Sequence, residues 1–100
     1  MIIYNVTVKV DADVADEWLE WMRQVHIPDV MATGYFEGYK LLHLYGHDDE
    51  QGITYAIQYQ CKDLDTLARY QETEAPRLQR AHAERFKDKY VAFRTILEEV

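Results

Sequence analysis

The sequence contains few of the residues that mark secreted, membrane or nucleic-acid-binding proteins. Its 100 residues include only one cysteine, two prolines and four glycines. Because Cys61 has no second cysteine to pair with, no intrachain disulfide can form, and this is typical of a reducing compartment. The sequence also lacks the roughly 18 consecutive apolar residues that a membrane-spanning helix needs. These absences predict a cytoplasmic protein without a membrane partner.

Positive charge is also scarce. Eleven lysine and arginine residues face eighteen aspartate and glutamate residues, which gives a formal net charge of −7. Because phosphate binding needs clustered cations, this balance predicts no nucleic-acid partner. One group of cations, Arg77, Arg80, His82 and Arg85, alternates with acidic residues, and we interpret it as a solvated, salt-bridged helix face.

The sequence has no motif for a metal or a phosphate. The four histidines, at positions 26, 43, 47 and 82, show neither an HExxH pattern nor clustered ligand spacing. Gly34 and Gly38 are flanked by aromatic residues, and no GK[ST] follows them, so they do not form a phosphate-binding loop. We therefore predict no metal and no cofactor.

The first part of the chain has the pattern of a strand followed by a helix. Residues 2–10 alternate apolar and polar side chains, which indicates a strand with one apolar face. In the segment VADEWLEWMRQV the apolar residues recur at helical spacing, which places Trp18 and Met22 in the core. Because the residue before a proline disfavours helix, this helix is predicted to end near His26, with Pro28 opening a new turn that Gly34 closes.

The rest of the chain continues with two strands, a helical segment and a last strand. The segments 35–45 and 53–61 read as consecutive antiparallel strands. A long helical pattern follows, with Leu67 in the core and a break predicted between Thr73 and Pro76. The segment YVAFRTILEEV reads as the last strand. The β-α-β-β-α-β order predicts one α+β domain over residues 1–100, a ferredoxin-like sandwich with two helices on one face of a four-stranded antiparallel sheet.

This arrangement leaves one face of the sheet without helices. If the apolar side chains of each strand pack on the helices, the open face carries Ile3, Asn5, Thr7, Lys9, Thr54, Ala56, Gln58, Gln60, Ala92, Arg94 and Ile96. Such a face is too polar for a core and too mixed to be plainly solvated. We expect it to meet a second copy of the chain.

Four stretches of the sequence resemble a known family. The segments WLEWMRQVHIPDVMATGYF, YAIQYQ, YQETEAPRLQ and VAFRTILEEV are similar to a small bacterial domain of unknown function that is placed among the dimeric α/β-barrel proteins. The resemblance covers essentially the whole chain. It implies a ferredoxin-like subunit whose sheet meets that of a symmetry mate to close a barrel, and hence a homodimer. It implies no particular activity, because proteins of that superfamily include both enzymes and ligand-binding modules.

The segment HIPD contains the first candidate functional residues. His26 continues the helical row of Trp18 and Met22 toward the interior. One interpretation is structural, with the His26 ring fastened to a backbone carbonyl or to Asp29. The other is that His26 is a general base at a cavity mouth and that Asp29 orients it, since the usual pKa of histidine suits proton transfer near neutrality. Both interpretations stay open at this point.

A second group of candidates lies on the predicted strands. Their long polar side chains are suited to a carboxylate or carbonyl ligand, with one arginine as a bidentate anchor: Tyr39, His43, Gln58, Gln60 and Arg94. The alternative is that the glutamines and the arginine form hydrogen bonds across a dimer interface.

Two hypotheses for function follow from these candidates. In the first, the homodimer binds a small molecule in a subunit cavity near His26 without acting on it. In the second, the protein is a cofactor-independent enzyme, like a monooxygenase or an isomerase, in which His26 moves a proton while Arg94 or Gln58 holds an oxyanion. The sequence does not choose between an enzyme and a binding module.

Overall fold

The computed structural model describes residues 1–100, which form a four-stranded antiparallel sheet with helices packed on one face. Along the chain the elements are β1 (Ile2–Asp11), a short 3-10 turn (Ala12–Val14), α1 (Ala15–Trp21), a π-helical turn (Met22–His26), α2 (Ile27–Ala32), β2 (Phe36–His43), β3 (Gly52–Cys61), α3 (Leu64–Thr73), α4 (Ala75–Arg85) and β4 (Tyr90–Glu98). The strands lie in the order β2, β3, β1, β4 across the sheet. This is the ferredoxin-like arrangement, so the predicted fold is confirmed.

The first helical region continues past the residue at which the sequence predicts its end. The elements α1, the π-helical turn and α2 follow one another without a break, so the predicted end near His26 is wrong. In a regular α-helix Pro28 would lack its own hydrogen bond, and its ring would press on the carbonyl of Gln24. The π-helical turn immediately before α2 widens the helix at this point and accommodates the proline. The chain leaves the helix only at Gly34, whose φ of 83° is the left-handed conformation that suits glycine.

The second helical region is divided at its proline, as the sequence predicts. Helix α3 ends at Thr73, and α4 begins at Ala75 with Pro76 in its first turn. A proline is tolerated there because the first N–H groups of a helix have no partner within the helix. At the other end, the Asp63 carboxylate caps α3 by accepting a hydrogen bond from the N–H of Thr66 at 2.8 Å.

The core lies between the helices and the covered face of the sheet. Trp18, Met22 and Leu67 are buried, which confirms their predicted positions. They pack in a cluster with buried side chains of the sheet, among them Tyr4 and Ile57. No helix of this chain is long and apolar enough to cross a lipid bilayer.

Strand β4 turns its side chains the opposite way from the prediction. Arg94 lies opposite Val6 and Ala92 opposite Val8 in the pairing with β1. Because directly opposed residues of antiparallel strands point to the same face, Arg94 and Ala92 share the helix-covered face with these valines. The prediction that Ala92, Arg94 and Ile96 line the open face is therefore wrong.

The open face is consequently more apolar than predicted. From β4 it receives Val91 and Phe93, which are 68% and 62% exposed, and from the opposite edge it receives Leu42. Both sets of alternating side chains in β4 contain apolar residues, so the alternation alone does not reveal which set faces the helices. An exposed apolar sheet face of this kind is typical of an interaction surface.

Candidate functional site

A small cavity, here called the inner cavity, lies between the helices and the covered face of the sheet. Its volume is about 40 Å³, and most of its lining residues are apolar. Its polar lining residues come from five different elements of the fold: Tyr4, His26, Tyr70, Gln79, His82 and Arg94. A space of this size holds a water molecule or the polar end of a larger ligand, but not a whole metabolite.

His26 faces the inner cavity from the last position of the π-helical turn. Its ring stacks on that of Trp21, with the ring centroids 5.1 Å apart and the planes 25° apart. The hydrogen bonds that both sequence interpretations gave to this ring are absent: it bonds neither Asp29 nor a backbone carbonyl. Asp29 is exposed in the first turn of α2, so its carboxylate acts on His26 only through its charge. The ring nitrogens of His26 are therefore free to interact with a ligand.

The surroundings of His26 keep its ring uncharged near neutral pH. Burial lowers the pKa of His26 from 6.5 to about 4, because the charged imidazolium loses hydration. The carboxylate of Asp29 acts in the opposite direction, and the positive charge of Arg94 lowers the pKa further. An uncharged imidazole accepts a proton or a hydrogen bond at one ring nitrogen and donates at the other.

His82 is a second histidine of the inner cavity, and the sequence interpretation missed it. It was predicted to lie on a solvated face of the helix, but only 6% of its surface is exposed. The Nε1–H of Trp18 donates a hydrogen bond to Nε2 of His82 at 2.8 Å, and the rings of His82 and His26 have their centroids 5.5 Å apart. Burial lowers the pKa of His82 to about 4, and the positive charges of a protonated His26 and of Arg94 act in the same direction.

The signal that identifies His82 is present in the sequence. Ala75, Leu78, His82 and Phe86 recur at spacings of three or four, which is the pattern of one helix face. All four are buried in the structure. The charged residues beside His82 in the sequence lie on the other faces of α4. They led the sequence interpretation to assign His82 to the solvated face.

Arg94 brings a positive charge to the inner cavity without a carboxylate partner. The ion pairs of the chain join other cations to acidic side chains on the surface, and no acidic oxygen lies within 4.0 Å of the Arg94 guanidinium. Its charge acts instead on Tyr4 and on both histidines. The pKa of Tyr4 is nevertheless raised, since burial of the hydroxyl outweighs its polar interactions with Arg94 and Gln79.

The structure brings Arg94 and His26 together but separates them from the other predicted ligand residues. Gln58 and Gln60 point to the open face, on the opposite side of the sheet from the inner cavity. Arg94 is separated from the glutamines because the register of β4 directs its side chain to the helix-covered face.

Tyr39 and His43 lie at the far edge of the sheet. Both are on β2, which is three strands away from β4, a distance of about 14 Å at ordinary strand spacing. The imidazole of His43 is engaged by the exposed Asp48 carboxylate, with Nε2 to oxygen distances of 2.9 and 3.0 Å. The five residues of the predicted ligand set therefore do not converge on one point.

The cysteine and the acidic residues do not form a reactive centre. Cys61 is buried at the end of β3, where its thiol points to the carbonyl oxygens of Tyr35 and Asp63. Burial raises the pKa of this thiol, so it has little thiolate character. No group of three or more histidine, cysteine, aspartate or glutamate side chains is placed to hold a metal ion.

An open depression on the surface, here called the outer groove, adjoins the inner cavity. It lies between α4 and β4 and shares Gln79, Ala92 and Arg94 with the cavity lining. Its volume is about 480 Å³, and its further lining residues include Lys87 and Tyr90. Arg94 therefore stands where the inner cavity meets the surface.

The sequence matches one protein family over its full length. The family described as Domain of unknown function (DUF4286) covers residues 1–100. The chain belongs to this family. A search of curated proteins gives no match.

Solved structures with the same fold share little sequence with this chain. HapK from Hahella chejuensis has a TM-score of 0.72 at 12% identity, covering 100% of this chain and 93% of that one. A dimeric ferredoxin-like protein from an uncultured marine organism has a TM-score of 0.72 at 10% identity, with coverages of 100% and 95%. A variant of SnoaB, a cofactor-independent oxygenase from Streptomyces nogalater, has a TM-score of 0.62 at 13% identity, with coverages of 98% and 92%. At these identities the likeness establishes the ferredoxin-like fold alone.

Proposed function

We propose that this protein binds a small molecule with a carbonyl or anionic oxygen, and that the oxygen-bearing end of this ligand enters the inner cavity. The observation that carries the proposal is the unpaired guanidinium of Arg94 beside two uncharged histidines. Charged and polar groups that converge in a mostly apolar cleft are typical of ligand sites. An arginine without a carboxylate partner is suited to bind a carboxylate or enolate oxygen.

The size of the inner cavity sets how such a ligand fits. About 40 Å³ accommodates a carboxylate or carbonyl group but not a ring system. The outer groove begins at Arg94 and offers a much larger volume, which suits the remainder of the ligand. The proposed ligand therefore has a small oxygen-bearing head and a body that follows α4 and β4.

Binding of the head group is tested with acetate and its uncharged relative acetamide. Chemical shifts of ¹⁵N-labelled protein are followed during titration with each probe. We expect saturable binding of acetate at residues of the inner cavity and weaker binding of acetamide, because only acetate pairs with the guanidinium. Arg94→Gln is expected to abolish acetate binding, whereas the control Arg80→Gln removes the same charge from an exposed site outside the cavity and leaves binding intact. Wild-type protein without saturable acetate binding contradicts the proposal.

The proposed assembly is a cytoplasmic homodimer in which two open sheet faces meet. Val91 and Phe93 expose large apolar surfaces on this face, and no helix of the chain covers them. A second copy offers the same apolar surface, which makes a self-complementary contact possible. The fold neighbour from the uncultured marine organism is a dimeric ferredoxin-like protein, which supports this proposal. A free and buried thiol at Cys61 is compatible with the reducing cytoplasm.

A second candidate function is proton transfer without a cofactor, favoured by the free ring nitrogens of His26. An uncharged imidazole in a cavity is able to remove a proton from a carbon or an oxygen of the ligand, and Arg94 is placed to stabilise the resulting oxyanion. Gln58 has no part in this proposal, because it lies on the other face of the sheet. The fold neighbour SnoaB is a cofactor-independent oxygenase, which is compatible with such chemistry.

This second candidate is tested with pyruvate, which carries both a carboxylate and an acidic methyl group. In deuterated water, the wild-type protein is expected to accelerate the exchange of the methyl protons, which is followed by proton NMR. His26→Gln is expected to return the exchange to the uncatalysed rate while pyruvate still binds. Wild-type protein that binds pyruvate without accelerating the exchange contradicts the enzymatic candidate and leaves the binding proposal standing.

A further inference from the structure

We infer that His82 is a dedicated hydrogen-bond donor to the ligand oxygen, through Nδ1–H, and that Trp18 is the positioning residue that fixes it in this role. This inference rests on the proposed function, and it makes that proposal more specific. It assigns the ligand an oxygen that only accepts hydrogen bonds, such as a carboxylate or an enolate, at the place where His82 meets the inner cavity.

The hydrogen bond between Trp18 and His82 can run in only one direction. An indole Nε1–H donates and has no capacity to accept. Since Nε1 of Trp18 lies 2.8 Å from Nε2 of His82, that ring nitrogen must be unprotonated and act as the acceptor. The proton of the uncharged imidazole is therefore on Nδ1. If Nε2 were protonated as well, its N–H would point at the Nε1–H of Trp18 and the two donors would repel each other.

The other nitrogen of the His82 ring, Nδ1, is not engaged by Trp18. Nδ1 has no hydrogen-bond partner within the chain. Every fully enclosed side-chain nitrogen or oxygen of this protein does have such a partner. Nδ1 is therefore not sealed off from solvent space. The space that His82 lines is the inner cavity, so the Nδ1–H donor is available to an occupant of that cavity.

Neighbouring aromatic side chains hold Trp18 and His82 rigidly in place. Trp18 is completely buried and stacks on Tyr55, with the ring centroids 5.2 Å apart, so the indole cannot turn away from His82. The rings of His82 and Tyr90 pack edge to face, with their centroids 4.1 Å apart. A donor held in this way is preorganised, because its tautomer and its direction are set before the ligand arrives.

The two histidines of the inner cavity therefore have different roles. The ring nitrogens of His26 are free, so its ring offers a ligand either a donor or an acceptor. His82 offers a donor alone, since its only acceptor nitrogen is occupied by Trp18. Together with the Arg94 guanidinium, His82 provides donors for one electron-rich oxygen, and a ligand amine would be rejected at this position.

The tautomer is tested first, in wild-type protein without ligand. Long-range ¹H–¹⁵N correlation spectra of the imidazole rings distinguish a protonated nitrogen from an unprotonated one. We expect a single Nδ1–H tautomer for His82, and a mixture of tautomers for the same ring in Trp18→Phe. A wild-type His82 with its proton on Nε2 overturns the inference without the need for any variant.

Two substitutions of His82 then separate the donor role from a purely structural one. In His82→Asn the side-chain amide places an N–H near the position of Nδ1, but leaves Trp18 without its acceptor. In His82→Gln the side-chain oxygen reaches the position of Nε2 and accepts from Trp18, but the donor to the cavity is lost. If His82 only satisfies Trp18, the glutamine variant retains both stability and acetate binding.

The inference predicts that stability and binding respond in opposite ways. We expect the melting temperature to fall more in the asparagine variant than in the glutamine variant, whereas acetate affinity falls about 10- to 100-fold in the glutamine variant and much less in the asparagine variant. Acetate that binds wild-type protein and His82→Gln with equal affinity contradicts this inference alone. Acetate that does not bind wild-type protein contradicts the proposed function as well, so the two failures are distinguishable.

Discussion

Acid should destabilise this protein through His26 and His82 as the pH falls from about 6.5 toward 4. Burial holds the pKa of His26 and of His82 at about 4 in the folded protein, against 6.5 for an ordinary histidine. The unfolded chain therefore binds more protons than the folded protein between these two values. The stability that the uncharged histidines provide is fully present above about pH 6.5, and it is lost as the pH falls toward 4.

The size of this effect follows from the two pKa values of each ring. Between about pH 7.5 and about pH 5, a histidine with these pKa values lowers the free energy of unfolding by about 2 kcal/mol. The two rings together give about 4 kcal/mol, a large share of the stability of a domain of this size. Asp49 and Asp63 do not confuse the measurement, because hydrogen bonds hold the pKa of each carboxyl below its usual 3.8.

Urea unfolding at fixed protein concentration measures this effect at a series of pH values between 7.5 and 5. The double variant His26→Gln, His82→Gln is expected to lose most of the pH dependence, whereas the control His47→Gln, in the exposed loop between β2 and β3, keeps it. A wild-type free energy of unfolding that stays constant over this range would refute the reasoning. So would a double variant with the same slope as the wild type.

Three further substitutions test the packing, the assembly and the HIPD segment. Leu67→Ala should lower the free energy of unfolding by about 2 to 5 kcal/mol, because Leu67 is 1% exposed. The control Leu64→Ala, at a site 57% exposed, should change it by less than about 0.5 kcal/mol. Equal unfolding midpoints in urea for the two variants would contradict the described core. Phe93→Lys should convert the proposed dimer to a monomer in light scattering, and a wild-type monomer at micromolar concentration would contradict the dimer. His26→Ala should remove the stacking on Trp21 at a cost of about 1 kcal/mol in urea unfolding, and a loss of more than about 3 kcal/mol would indicate a buried hydrogen bond that the structure lacks.

The order of the secondary-structure elements was predictable because strong local signals agree along the chain. Alternating side chains identify β1 and β3, and Pro76 marks the boundary between α3 and α4. Gly34 ends the first helical region because its left-handed backbone disfavours other residues. Each of these signals depends on residues that are close in sequence.

The position of His26 was predictable, but the course of the helix around it was not. Its spacing from Trp18 and Met22 correctly places it toward the interior. A proline usually marks a helix boundary, yet here a π-helical turn absorbs Pro28 within a continuous helical region. The energetic balance between ending a helix and widening it depends on what the following turn buries, and the residues of α2 bury Ile27 against the core.

The face of Arg94 was not predictable from the alternation in β4. A rule that sends the more apolar side chains to the core places Val91 and Phe93 under the helices and Arg94 on the open face. That rule holds for a sheet with one buried face and one solvated face. The register with β1 shows the opposite orientation, because Arg94 lies opposite Val6. Long-range strand pairing decided the outcome, and no local pattern reports it.

The orientation of β4, which is opposite to the one predicted from the sequence, links the proposed assembly to the proposed binding site. An edge strand with Phe93 on one face and Arg94 on the other contributes apolar surface to the open face and a positive charge to the inner cavity. If the open face were solvated, the exposure of Val91 and Phe93 would be unfavourable, and the reverse orientation would bury them. The observed orientation is favourable when a second copy covers the open face and an anionic oxygen pairs with Arg94. The proposed dimer and the proposed ligand would together account for this orientation of β4.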